Sequence, residues 1–238
     1  TITGGSGGDT LLGGDGNDTI TAGAGVDSVD GGANDDRIIF AGNLTSGDSV
    51  DGGTGTNTLV VTATAADDGV VTTAYTHVSN IQTLEISDAL DGTASKDVVD
   101  ASNISTSITT IALDAATTGA VTITGNAGSD TLNLGGALGN TLRLNDTGTA
   151  TTDSITVTKN YAADADAFAS KALTIAGFET VTLNTGSTAI ATTQAIGTVA
   201  ISGDAADGAL TINVAGANRA TLAAVRSAST GVVNISVA

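Results

Sequence analysis

Four aspartates stand nine residues apart near the start of the chain, Asp9, Asp18, Asp27 and Asp36, each in a loop made mostly of small residues. The units read GGSGGDTLL from Gly4, GGDGNDTIT from Gly13, AGAGVDSVD from Ala22 and GGANDDRII from Gly31, and GGTGTNTLV follows from Gly52 after an irregular piece. Carboxylates and main-chain carbonyls, with no His or Cys among them, make a set of hard oxygen donors. Calcium takes six to eight oxygens at about 2.3–2.6 Å in flexible geometry, and extracellular modules bind it at roughly 0.1–1 mM. The chemistry these residues offer is therefore calcium binding.

Such donors need a backbone that curls and then returns. Glycine at the first, second and fourth places is expected to allow positive φ, so that carbonyls turn into one small space. After the acid, the sequence alternates polar, apolar, polar, as in Thr19-Ile20-Thr21 and Ser28-Val29-Asp30, which predicts a short strand with one inward side chain. Each unit is one turn plus one strand. A solvated Gly/Asp linker requires neither acids in step nor an aliphatic residue two places after each one.

These units resemble the RTX nonapeptide GGxGxDxUx. The resemblance implies a parallel β-roll in which two units form a coil of about 18 residues and loops two apart stack roughly 4.8 Å from one another. Asp9 then lies over Asp27, and Asp18 over Asp36. At about 5 Å and an effective dielectric of ~20, two such carboxylates repel by about 3 kcal/mol unless a cation lies between them. The resemblance also implies a ligand set: carbonyls from the second and fourth places of one loop, and from the first and third of the loop stacked on it. One ion is thereby expected among Gly5, Gly7, Asp9, Ala22, Ala24 and Asp27, and a second among Gly14, Gly16, Asp18, Gly31, Ala33 and Asp36. A site from Gly23, Gly25 and Asp27 to Asp48 departs from the pattern, because Asp48 follows Asp36 by twelve residues and its loop lacks paired glycines. A site of Gly32, Asn34, Asp36, Gly52, Thr54 and Asn57 has an amide in place of an acid, whose oxygen can coordinate with less charge. GNAGSDTLN, from Gly125, repeats the unit once more with Asp130 in the acid position, as a further calcium ligand or as a plain glycine turn.

The frame that carries these loops must be aliphatic. Of 238 residues, 40% are hydrophobic but only 2% aromatic, so the core is Val, Ile, Leu, Ala and Thr, which suits a solenoid. Without Cys there are no disulfides, and calcium is expected to act as the staple. The net charge of −18 comes from 23 Asp and two Glu against seven Lys and Arg. That balance repels nucleic-acid phosphates and anionic membrane surfaces, so neither nucleic acid nor membrane insertion is expected. No stretch reads as a transmembrane segment or signal peptide. Thr1-Ile2-Thr3 reads as the strand end of a preceding repeat, so a longer protein is expected.

The expected fold is all-β: an RTX β-roll over 1–60, a connecting segment with the first strands of a ladder over 61–124, and a Thr/Ala/Gly-rich strand ladder over 125–238. A turn is expected at 65–69. Alternating runs predict strands at 83–87, 110–113, 121–124, 131–134, 141–144, 154–157, 173–175, 181–183, 198–201, 210–214 and 232–235, forming a solenoid or a sandwich. Short helices are conceivable at 162–172 and at 219–226, the latter after a cap at Asn218.

Catalytic motifs do not survive inspection. Gly4–Gly8 satisfies GxSxG but lacks the preceding buried strand and the following helix. Asp164-Ala165-Asp166 starts like an EF-hand loop and lacks its Gly and Glu, and the lone His77 reads as a packed or surface residue. No enzymatic activity is expected. The segments Val78–Ile86 and Gly177–Leu183 look like RTX-type surface-layer proteins and related adhesins of Gram-negative bacteria. That resemblance implies type I secretion, folding on several calcium ions outside the cell, and self-assembly into a lattice on the cell surface. Cell-surface polysaccharide is a further expected partner, through other parts of the protein. Two alternatives stand beside it: a module of a large RTX adhesin, and a noncatalytic secretion and folding module of an exoenzyme.

Overall fold

The computed structural model describes residues 1–62, 77–90, 98–117, 119–125, 129–146, 153–159, 171–184, 194–201, 210–215, 220–227 and 233–237. It forms two compact units, Thr1–Asp88 with Val99–Ala112, and Ala89–Val98 with Leu113–Ala238.

In the first unit each nonapeptide contributes one short strand, and successive strands alternate between two parallel sheets. One sheet holds β1 (Ile2–Thr3), β3 (Thr19–Thr21), β5 (Arg37–Ala41), β7 (Thr58–Val61), β9 (Thr83–Ile86) and β11 (Thr110–Leu113). The other holds β2 (Thr10–Leu12), β4 (Ser28–Asp30), β6 (Ser49–Asp51) and β8 (Val78–Ser79). A three-residue strand can point only one side chain inward. The three-residue strands accordingly build two aliphatic columns, Ile2-Ile20-Ile38-Leu59-Leu84 on one sheet and Leu11-Val29-Val50-Val78 on the other, while the longer β5, β7 and β9 bury a second residue each, Phe40, Val61 and Ile86, so that the core is not wholly aliphatic. Stacked loops start 18 residues apart, then 21 and 25. The first lengthening coincides with a register shift between Ile39 and Ala41, where Ala41 takes a φ of 49°. On the outer side of this sheet Arg37 of β5 forms a two-pronged ion pair with Glu85 of β9, spanning β7 between them. Here β10 (Val98–Asp100) leads into a single 3-10 turn, Ala101–Asn103, whose Ser102 amide donates to the Asp100 carboxylate.

Most strands are longer in the second unit, and those whose side chains are described turn two or more inward. One sheet runs β13 (Ser129–Leu134), β15 (Ser154–Lys159), β17 (Thr180–Asn184), β19 (Leu210–Ala215) and β21 (Val233–Val237). The other runs β12 (Val121–Gly125), β14 (Leu142–Asp146), β16 (Leu173–Ala176), β18 (Gln194–Ile201) and β20 (Ala220–Ser227). Their columns pair Leu132-Val157-Leu183-Val214 and Ile155-Val181-Ile212 on the first, and Val121-Leu142-Leu173 and Ile123-Leu144-Ile175 on the second. The alternate positions carry hydroxyls and amides in register, such as Ser154-Thr180-Thr211 and Thr156-Thr182-Asn213.

Each strand expected between 83 and 235 is present, with ends displaced by a residue or two except in β18, which begins at Gln194, four residues before the expected 198, and parallel pairing makes the ladder a solenoid and not a sandwich. The helix expected at 219–226 is instead β20, paired with β18 from Gln194↔Ala220 to Ile201↔Ser227. Ala, Leu and Arg favour helix only weakly, and a coil that must place one strand on each sheet overrides that preference. The turn at 65–69, residues 162–170 of the other expected helix, and 164–166 lie outside the described residues.

Candidate metal centres

The loops owe their shape to two different properties of glycine. Left-handed backbone occurs at the second and fourth places: Gly14 and Gly16, Gly23 and Gly25, Gly32 and Asn34, Gly53 and Gly55 have φ between 77° and 127°. The first place does not need positive φ, contrary to expectation. Where it is glycine it instead lacks room for a side chain, since a Cβ on Gly13 would lie 2.1 Å from the Gly31 carbonyl oxygen of the next coil, although the third unit accommodates Ala22 at this place. Loops so closely stacked exchange amide hydrogen bonds: Ala24 N–H donates to the Gly5 carbonyl at 2.9 Å, Ala33 to Gly14 at 2.8 Å and Thr54 to Gly32 at 2.8 Å. Each carbonyl keeps a second lone pair for a further partner.

The acids form two ladders through these loops. Asp9 N–H donates to Asp27 Oδ1 at 2.8 Å and Asp27 N–H to Asp48 Oδ1 at 2.7 Å. In the other row Asp18 N–H donates to Asp36 Oδ1 at 2.8 Å, Asp36 N–H to Asn57 Oδ1 at 2.9 Å, and Asn57 N–H to Gln82 Oε1 at 2.7 Å. Asp27 and Asp36 are 2% exposed, and the Oδ2 of each is buried without a hydrogen-bond partner. Burial pushes the Asp36 carboxyl above the ordinary range, and the charges of Asp18, Asp35 and Asp30 add to this against the opposing Asp18 amide.

An ionised oxygen buried without a partner costs several kcal/mol by the usual order of magnitude, unless a cation or donor meets it. Asp27 and Asp36 fit calcium: two buried charged oxygens, surrounded by loops that stack their carbonyls. The ion would supply the positive charge that the stacked carboxylates require. Among the described residues no three acidic or imidazole side chains converge, so carbonyls such as those of Gly5, Gly14, Gly31 and Gly32 must complete each coordination sphere.

The expected residues fall into three groups. Gly5, Gly7 and Asp9 meet Ala22, Ala24 and Asp27 across one pair of loops, and Gly14, Gly16 and Asp18 meet Gly31, Ala33 and Asp36 across the other, including a bridge between Asp15 and Ala33. Asp48 is drawn into line under Asp27 despite its irregular spacing, but its Oδ2 accepts from the Thr45 amide at 2.6 Å and the Thr45 hydroxyl at 2.9 Å. Asn57 stacks under Asp36 with Gly52 and Thr54 in the same loop, yet its amide oxygen is taken by Asp36 N–H and its Nδ2 donates to the Asn80 carbonyl at 3.1 Å. Asp130 is buried in β13 and turned toward the first glycine of its unit, as a Cβ on Gly125 would lie 2.0 Å from its Oδ2. Its neighbour on β15 is Ile155, not a second acid.

Three members of such ladders, Gln82, Asp153 and Glu179, fall outside the nonapeptide spacing. Gln82 sits 25 residues beyond Asn57. Glu179 accepts Asp153 N–H through Oε2 at 2.6 Å, 26 residues along, and its Oε1 is buried without a hydrogen-bond partner. The signal was a polar side chain just before a strand, hidden because the coil had lengthened.

A family model of the RTX calcium-binding nonapeptide repeat, in four copies, matches residues 3–38 and 115–137. Neither curated proteins nor solved structures yield a match to this chain. The match spans Asp9, Asp18, Asp27 and Asp36 with the loops that stack them, and separately Asp130. Over those residues the chain carries RTX repeats, a calcium-binding kind of repeat whose proteins are typically secreted.

Proposed function

We propose that this chain is part of a secreted structural protein of the surface-layer type, which calcium folds outside the cell and which then tiles into a lattice on a Gram-negative cell surface. The observation that carries the calcium half is the pair of buried oxygens, Asp27 Oδ2 and Asp36 Oδ2, each lacking a donor. Without calcium their charges oppose stacking, and strands with one inward side chain bury too little to compensate. Calcium that binds only the folded chain stabilises it by mass action, by about 2.7 kcal/mol at a hundred times its Kd.

The lattice half draws support from the resemblance of Val78–Ile86 and Gly177–Leu183 to surface-layer proteins, and from the hydroxyl and amide rows of the second unit. Its partners are copies of itself, with cell-surface polysaccharide reached through other parts of the protein. Its role is noncatalytic. No helix among the described residues is long and apolar enough to cross a membrane.

A calcium titration of the purified chain, followed by circular dichroism and particle size, tests both halves. A coil-to-β transition near millimolar calcium that also produces large ordered particles is expected. Folding without particles would replace the lattice by an adhesin or secretion module. A chain fully folded in chelator and indifferent to calcium would overturn the reading altogether.

A further inference from the structure

We infer that the calcium array of the first unit ends at its third coil, where Thr45 and Asn57 supply hydrogen-bond donors to the positions that hold a bare carboxylate oxygen in the coil above. That third coil then keeps its shape without calcium and is the platform on which the calcium-dependent coils assemble. The inference rests on the calcium reading of Asp27 and Asp36.

The two rows end by different chemistry at the same level. In the Asp36 row the decisive point lies beside Gly31, where a Cβ would be 2.6 Å from Asp36 Oδ2 and 2.6 Å from the carbonyl oxygen of Gly52 in the next coil. Two acceptors thus border the same small space, and the ionised Asp36 oxygen there has no donor, an arrangement that a cation would relieve. One coil on, beside Gly52, a Cβ would be 2.7 Å from Asn57 Nδ2 and 2.1 Å from the Asn80 carbonyl oxygen. Here the amide N–H donates to that carbonyl at 3.1 Å. A hydrogen stands where the coil above needs a positive ion. The orientation of the Asn57 amide follows from its neighbours, because a flip would set Nδ2 against Asp36 N–H and Oδ1 against a carbonyl.

In the Asp27 row the third acid is retained and is satisfied internally. Asp48 is 1% exposed; its Oδ1 takes Asp27 N–H, and its Oδ2 takes both the amide and the hydroxyl of Thr45. Its loop cannot present a ring of carbonyls either. Residues 43–48 include no left-handed backbone, the Thr45 carbonyl accepts Asp48 N–H at 3.2 Å, and Leu44 is buried. Beyond this level the Asn57 row continues through the uncharged Gln82.

Hydrogen–deuterium exchange of the full chain in chelator and in calcium, together with the number of calcium ions bound, tests the inference. In chelator, amides of Asp48–Asp51 and Thr58–Val61 should stay protected while those of Asp9–Arg37 exchange rapidly, and calcium should protect the latter. Asp48→Asn should leave the number of bound ions unchanged, whereas Asp36→Asn should lower it by one. Asn57→Asp removes the Nδ2 donor and should make protection of Thr58–Val61 calcium-dependent, with one further ion bound. Rapid exchange of Thr58–Val61 in wild-type chain in chelator, or loss of an ion in Asp48→Asn, would overturn the inference whether or not Asn57→Asp folds. A wild-type chain that binds no calcium at all would overturn the underlying reading, which sets the two failures apart.

Discussion

At the scale of the residue, a single carboxylate oxygen decides the sign of a mutation. Asp36 is destabilising while its Oδ2 lacks a partner and stabilising once a cation meets it. Asp36→Asn should therefore raise thermal stability in chelator, by about 1–3 kcal/mol if the amide hydrogen finds the Gly52 carbonyl, and lower it in millimolar calcium. Melts of both proteins in both conditions check this reversal. Proton linkage follows the same logic. With its pKa raised, folded Asp36 holds a proton more readily than the unfolded chain does. In chelator its contribution favours folding below the ordinary carboxylate pKa and is lost as pH rises through the raised value. Calcium competes with that proton, so the calcium concentration at half-folding should rise as pH falls through the same window. Asp51 behaves oppositely: the Asn80 amide, then the Gly53 amide, hold it below the usual range. Its contribution is present at neutral pH and lost as pH falls through the depressed value, and pH-dependent melts of Asp51→Asn should lack that acid limb. Glycines divide as well. Gly14→Ala meets open space and should cost only the left-handed penalty of about 1–2 kcal/mol. Gly32→Ala shares that φ but places its Cβ 2.2 Å from the Gly14 carbonyl oxygen, which adds overpacking of about 1–3 kcal/mol or more. Denaturant unfolding in calcium separates the two.

At the scale of the element, a strand of three residues leaves almost nothing to redundancy. In β3 Ile20 is the single inward residue, stacked between Ile2 and Ile38 of the neighbouring strands, so Ile20→Ala should cost about 2–5 kcal/mol in calcium-loaded protein. The ion pair of Arg37 with Glu85 is partly solvated, and a double-mutant cycle should find a coupling of about 1 kcal/mol or less that shrinks with added salt. Short strands also explain what could be read in advance. In the nonapeptides, turn, acid and inward aliphatic recur at fixed offsets, so loops, strands and the stacking of Asp9 on Asp27 were legible before any coordinates. β20 was not, because Ala220–Ser227 reads locally as helix and only its pairing with β18 makes it a strand. Nor was the role of Thr45, since a hydroxyl three residues before an acid is common and only the Asp27 amide above reveals that Asp48 belongs to the row. Position-one glycines looked like turn formers and proved to be spacers, a distinction that depends on a carbonyl from the next coil.

At the scale of the molecule, the two units differ in what holds them. One opens on three-residue strands with a single inward side chain and on long rows of stacked acids, the other has longer strands with more than one inward side chain and, among its described residues, the shorter acid row of Asp153 and Glu179. Calorimetry should resolve this: addition of calcium should raise the transition of the first unit more than that of the second. The repeat itself carries a further consequence. Neighbours in a sheet are coils, not nonapeptides, since Ile2, Ile20 and Ile38 pair across 18-residue steps while the intervening units serve the opposite sheet. Loss of nine residues would send every later strand to the opposite sheet, whereas loss of 18 would leave each column whole. The heritable unit of this roll is thus the pair, and slippage during replication of its gene should be tolerated only in steps of two repeats.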